Sequence, residues 1–177
     1  MKLNSIELRL RHMKLSAQEE YGLRCLLQMA VRGNQSSLSI PEISRAEGLS
    51  IPNVAKLMRL LRIAGFVKSV RGQSGGYTLA KNANTILIGE VLEALGGKLF
   101  GERFCGRHSG LEAMCVHSSD CSMRALWVGL QHMLEKVLFK ATLADLLQKE
   151  VFMQEMLETR HGALILPTLT NGKAASA

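Results

Sequence analysis

Cys105, Cys115 and Cys121 follow one another with the spacing C-x9-C-x5-C, inside the glycine- and serine-rich stretch FCGRHSGLEAMCVHSSDC. Three thiolates on one short segment can gather around a single metal centre. Thiolate sulfur is a soft ligand that suits zinc and iron–sulfur clusters. Both usually take four ligands, so a fourth has to be found. His108 and His117 lie within the segment, Cys25 lies far upstream, and carboxylates are available. Three chemistries are open. Zinc would staple the loop, and an iron–sulfur cluster, [2Fe-2S] or [4Fe-4S], would sense oxygen, nitric oxide or iron supply. Bare thiols could instead form a switchable disulfide. Spacing does not separate zinc from iron–sulfur. Cys25 sits in an apolar run and reads as a small buried hydrophobe.

The compartment bears on this choice. No apolar run reaches the length of a membrane span, and the first residues, MKLNSIELRLRHMKL, lack the uninterrupted apolar stretch of a signal peptide. A cytoplasmic protein without membrane contact is expected, where thiols stay reduced and clustered cysteines bind metal or sense redox state. An enzyme is not expected. There is no C-x-x-C pair, no glycine-rich phosphate loop and no serine nucleophile elbow.

The elements around the cysteines point to nucleic acid. The net charge is +7, and no Asp or Glu occurs between Glu47 and Glu90, a stretch that carries Lys56, Arg59, Arg62, Lys68, Arg71 and Lys81. Such a gap reads as a phosphate-facing surface. Ser16 and Glu19 form a capping box that opens a helix from about Ala17 to Val31, with Leu23, Leu27, Ala30 and Val31 at helical spacing. Pro41 suits the first turn of a second helix, in which Ile43 and Ala46 face inward, and Gly48 can end it. Ser50 then caps a third, with Pro52 in its first turn, running to about Ala64. A helix, a glycine turn and a helix make a helix-turn-helix. On the third helix Val54, Leu57, Met58 and Leu61 share one arc, and Asn53, Lys56 and Arg59 share the opposite one. A surface helix with an ordinary polar outside would look similar. FVKSVRGQSGGYTLAK tips the balance. Two short strands flank RGQSGG, and an Arg at a hairpin tip can enter a minor groove. Helix-turn-helix plus basic hairpin is a winged helix.

Residues 86 to 95 read as a short helix, broken by Gly96-Gly97, and residues 96 to 121 show no periodicity. After Cys121, Met123, Leu126, Leu130, Met133, Leu134, Val137 and Leu138 form a near-heptad stripe with Trp127 beside it. That stripe suits pairing with a twin helix, as in two-fold DNA readers. Thr142 to Leu147 restarts a helix that lasts to about Glu158. The expected organisation is an extension at 1–12 preceding a second methionine, Met13, then a winged helix-turn-helix domain at 13–95 and a cysteine-bearing loop at 96–121. A dimerisation helix and following helix occupy 122–158, and a tail 159–177. The fold class is mainly α with a small β-hairpin.

Taken together, these features resemble the IscR/NsrR family of bacterial winged-helix iron–sulfur regulators. The likeness rests on MKLSAQEEYGLR at Met13 to Arg24, on Leu49 to Lys81 with its SVRG-x-x-GGY wing, on the three cysteines running into SMRALW, and on TLADLL at Thr142 to Leu147. It implies a homodimeric transcriptional regulator, a repressor by preference. Such a protein would bind double-stranded DNA at a palindromic promoter site and carry one cluster per subunit on Cys105, Cys115 and Cys121. The first cysteine gap is wider here. Some branches place a histidine ligand three residues beyond the last cysteine, where this chain has Arg124. Others use an acidic residue early in the first helix, contributed by the partner subunit; counting from Met13, this is Glu20. Glu20 is therefore the expected fourth ligand, with His117 as local rival. The alternative function is a winged-helix regulator with structural zinc or a direct thiol switch at the same cysteines.

The expected DNA contacts are Ser50, Asn53, Lys56 and Arg59 on the recognition helix and Arg71, Gly72 and Gln73 in the wing, with Arg62 and Lys68 on phosphates. Arg71→Ala is expected to weaken specific DNA binding by about 1–3 kcal/mol, as read by gel shift at fixed salt.

Overall fold

The computed structural model describes residues 16–33, 36–72, 75–98, 100–101, 103–111 and 114–161. The expected extension at 1–12, Met13, Gln73 and residues 162–177 of the expected tail lie outside them.

Helix α1 spans Ala17–Arg32, and its Ser16–Glu19 capping box forms as the sequence implies: Ser16 Oγ accepts from the Glu19 N–H, and Glu19 Oε2 accepts from the Ser16 N–H at 2.7 Å. Its inward arc differs from the expected one. Gly22, Cys25, Leu26 and Met29 are buried, Leu23, Leu27 and Ala30 pack at the margin, and Val31 is exposed. The apolar residues of α1 wrap more than half the helix, so periodicity alone did not fix its phase.

Helix α2 (Ile40–Glu47) opens on a second capping box, Ser39 with Glu42, which the sequence reading overlooked. The hydrogen bonds from Ser39 hold the Glu42 carboxyl below its ordinary range. Ile43 is buried as expected, whereas Ala46 is exposed; a helix of two turns buries little more than one position per turn. Gly48, at φ 65° and ψ 29°, takes the left-handed conformation that turns the chain toward α3 (Ile51–Ile63). Val54, Leu57, Met58 and Leu61 of α3 are at most 1% exposed. They pack against α1, α2 and α4 (Ile88–Gly96). Arg24 of α1 clamps the end of α2, donating from Nε to Glu47 Oε2 at 2.6 Å and from Nη2 to the Glu47 carbonyl at 2.8 Å.

The wing is an antiparallel hairpin of β1 (Val67–Val70) and β2 (Gly76–Leu79), in register Val67↔Leu79 through Val70↔Gly76. Leu38 extends it from the other side, exchanging backbone hydrogen bonds with Tyr77 at 2.9 and 2.8 Å. This close approach needs glycine at 76, where a Cβ would stand 2.5 Å from the Leu38 carbonyl oxygen.

Past the wing, the chain departs from expectation at four places. Ile86 and Leu87 precede α4 in extended form, because they pair with the returning segment: the Leu143 N–H donates to Ile86 O at 2.9 Å and the Ile88 N–H to Ala141 O at 2.9 Å. The 96–121 stretch holds a five-residue helix, α5 (Arg103–Arg107), too short to register as periodicity. TLADLL is not a restarted helix. Thr142 and Asp145 bond to each other, with the Thr142 N–H and Oγ1 each 2.8 Å from Asp145 Oδ2. Only a short 3₁₀ turn follows, at Asp145–Leu147. Short polar side chains that bond nearby backbone favour such turns over helix interiors. Helix α7 (Glu150–His161) comes after, runs past the expected end at Glu158, and buries Met156. Helix α6 (Ser122–Leu138) forms as expected and buries none of its residues in this single chain; Met123, Leu126 and Met133 are each more than half exposed.

Gly76→Ala is expected to push Leu38 off β2 and destabilise the fold by about 1–3 kcal/mol, as overpacked sites do. The check is the urea midpoint, with loss of slow hydrogen exchange at Tyr77 as the local sign.

Candidate metal centre and nucleic-acid interface

The cysteine segment is built by two helices and the turn between them. Cys105 sits on α5. Cys121 is the N-cap of α6, where its Sγ accepts the Arg124 N–H at 3.3 Å, replacing the oxygen that usually caps a helix. Between them, the Ser118 N–H donates to Cys115 O at 3.0 Å. Cys105, Cys115 and Cys121 are half-buried and line one cavity of about 180 Å³, together with His117, Met114 and Arg124. The three cysteines thus line one small space. They do not close on a point: among the described residues no three His, Cys, Asp or Glu side chains stand close enough to hold a metal ion. The donor set suits a thiophilic centre, with the segment needing to tighten and one ligand still to be added.

Of the two expected fourth ligands, His117 lines this cavity and Glu20 does not. Glu20 is exposed on the first turn of α1. Its neighbour Glu19 is buried and held in the capping box. His108 turns away, with Nδ1 donating to the Phe104 carbonyl at 2.7 Å and its ring stacked on Phe104 at 4.4 Å. Cys25 is fully buried in the core, and desolvation pushes its thiol up to about 12. It is the buried hydrophobe that the sequence suggested.

Next to the thiols lies a larger cavity of about 540 Å³ that the sequence reading did not anticipate. Phe100 stacks on Trp127 with centroids 5.0 Å apart, and Phe104 meets Phe100 edge-on at 5.4 Å. The spacing of Phe100 and Phe104, one helical turn apart, was the available signal. Lys98 closes the far side through Glu135 at 2.8 Å and Glu93 at 3.5 Å. Cys105 and Arg124 line both cavities.

In the helix-turn-helix, Lys56, Arg59 and Arg62 of α3 are exposed and Asn53 is partly so. Ser50 is the N-cap of α3 but makes no capping hydrogen bond, so its hydroxyl is not committed to the helix. Lys68, Arg71 and Gly72 are exposed on the wing. Gly72 has φ 123°, and the Gly75 N–H donates to its carbonyl at 2.9 Å, closing a tight turn beside Arg71. Of the basic residues named from the sequence, Lys56, Arg59 and Arg62 therefore lie on the exposed side of α3 and Lys68 and Arg71 on the hairpin, while Lys81 follows the hairpin with Nζ 5.9 Å from the centre of the Phe66 ring.

The family model for Rrf2, described as an iron-dependent transcriptional regulator, matches residues 15–149. The chain belongs to the Rrf2 family. Protein rrf2 of Nitratidesulfovibrio vulgaris is 34% identical over 136 residues, covering 77% of this chain and 88% of the relative. The transcriptional regulator IscR of Pectobacterium atrosepticum is 33% identical over 140 residues, covering 78% and 82%. Among solved structures, T. potens IscR superposes with a TM-score of 0.61 at 30% identity, covering 77% of this chain and 87% of that one. This Rrf2-family chain is accordingly a DNA-binding transcriptional regulator, not an enzyme, with a winged-helix fold. No helix among the described residues is long and apolar enough to cross a membrane.

The contrast between Cys25 and the other thiols is measurable. Native alkylation with iodoacetamide at mildly alkaline pH, followed by mass spectrometry, is expected to modify Cys105, Cys115 and Cys121 and to spare Cys25 until denaturant is added.

Proposed function

We propose that this Rrf2-family regulator is a cytoplasmic homodimer whose promoter binding is controlled by an iron–sulfur cluster on Cys105, Cys115 and Cys121. The observation that carries the reading is the shared cavity of three thiols at the start of a helix with an uncovered apolar face. Bound there, a cluster would supply a centre that oxygen, nitric oxide or iron shortage can alter or remove. The protein residues do the rest. Cys121 couples the segment to α6 because it is the helix's own N-cap. The stripe from Met123 to Val137 pairs with the same stripe of a second copy, a route to burying side chains that one chain leaves open to water.

Glu20 is the proposed fourth ligand, reaching the partner's cavity, with His117 as the alternative within the chain. Glu20 lies one turn from Arg24, whose guanidinium grips Glu47 at the turn of the helix-turn-helix. A pull on the first turn of α1 would therefore be felt where α2 meets α3. Ser50, Asn53, Lys56 and Arg59 are the proposed groove-facing residues, Arg62 and Lys68 the phosphate contacts, and Arg71, Gly72 and Gln73 the wing contacts. The palindromic site would follow from two such heads on a two-fold axis. A thiol switch at the same three cysteines is the second reading, supported by three free, half-buried thiols that line one cavity.

Anaerobic reconstitution with ferrous iron and sulfide is expected to give a brown dimer whose promoter affinity differs from that of the metal-free protein. Visible absorption, Mössbauer spectra and gel shifts make the check. Colourless zinc protein, or reconstituted and metal-free protein with equal affinity, would refute the cluster-control reading.

A further inference from the structure

Arg124 ties the second and third thiols together. The Ser118 N–H donates to the Cys115 carbonyl at 3.0 Å. The Ser118 carbonyl in turn accepts from Arg124 Nη1 at 3.0 Å. The backbone N–H of Arg124 itself donates to Cys121 Sγ at 3.3 Å. These three hydrogen bonds run unbroken from Cys115 to Cys121, and Arg124 supplies two of them. The same residue lines both the thiol cavity and its aromatic neighbour. Among the described residues no carboxylate pairs with it.

A guanidinium has donors and no acceptor and does not lose its proton in proteins, so it cannot serve as a metal ligand. It can do two other things. Its planar fork can fix a loop carbonyl in place. Its permanent charge offsets the negative charge that thiolates bring to a half-buried space, and net charge is among the factors that set the potential of a thiolate-held cluster. We infer that Arg124 is the positioning residue of the cysteine centre, holding the 115–121 turn closed on its cavity and keeping a fixed positive charge beside the sulfurs. The inference rests on the reading that these thiols hold an inorganic centre. A cluster that takes an electron becomes more negative, so a neighbouring cation favours the reduced form and raises the potential.

The test uses the full chain as wild type, Arg124→Lys and Arg124→Met. In the metal-free proteins, compared at a pH alkaline enough to leave the accessible thiols ionised in all three, Arg124→Met is expected to speed iodoacetamide alkylation of Cys115 severalfold, because the turn loses its clamp. After anaerobic reconstitution, one-electron titration with dithionite is expected to show a more negative midpoint for Arg124→Met, with Arg124→Lys recovering most of the shift because it restores the charge. Wild-type protein that takes up the cluster, with all three proteins alike in alkylation rate and midpoint, would overturn the inference and leave the cluster reading intact. Wild-type protein that takes up no iron, yet still shows faster alkylation in Arg124→Met, would defeat the cluster reading and support the positioning role.

Discussion

The burial of one side of α3 is the constraint on which the reading head depends. Val54, Leu57, Met58 and Leu61 are all but removed from water. Each contributes about 1.5–3 kcal/mol relative to an exposed position. That commitment leaves α3 no freedom to roll, so Lys56 and Arg59 face out in one fixed phase. The wing inherits its position from the same core. Phe66 and Val67 are buried beneath the helix end, and Leu79 pairs across from Val67. Leu38 pins β2 from its other side. Basic residues from two separate elements thereby stand in a single rigid arrangement, which a surface helix with an ordinary polar outside would not supply.

The C-terminal half obeys a different logic. Helix α6 has a well-patterned apolar stripe and buries none of it within the chain. Yet the segment after α6 returns to the core: Ala141 and Leu143 are buried, and Leu143 pairs with Ile86. The helix is therefore anchored at its C-terminal end, while its N-terminal end is held by the thiol cap, the Arg124 bonds and the Phe100–Trp127 stack. A helix fixed so unequally is suited to respond at the end that carries the cysteines.

Much of this was legible in the residues. The winged helix followed from patterns that do not depend on distant contacts: the Ser16–Glu19 box, glycine at 48, the two-faced α3 and the RGQSGG hairpin. The shared cavity of the three cysteines followed from their spacing on one segment. Errors arose where a tertiary partner decided the outcome. Val31 fits the helical stripe, but it stays exposed among the described residues. Ile86 and Leu87 look helical until Ala141 and Leu143 offer them backbone partners. TLADLL has good helix formers, but Thr142 and Asp145 satisfy each other first. Arg124 passed as a mere replacement for histidine, because a loop carbonyl six residues upstream is invisible to pattern reasoning.

The two halves meet along α1, and the chemistry of that helix explains how they can communicate without a hinge. Its first turn is locked by Glu19, which is buried and bonded back to Ser16, while Gln18 reaches the Leu95 carbonyl at the end of α4. Gly22 allows Leu95 to lie directly on the helix, in space that a side chain would occupy. Two turns after its start, Arg24 holds the last residue of α2 by both side chain and backbone. A helix packed this tightly at successive turns moves as a rod rather than bending. A displacement at its N-terminus would therefore be delivered to the α2–α3 turn rather than absorbed on the way. The density of the core around α1, more than any flexible joint, is what would let an event among the cysteines change the angle of the recognition helix.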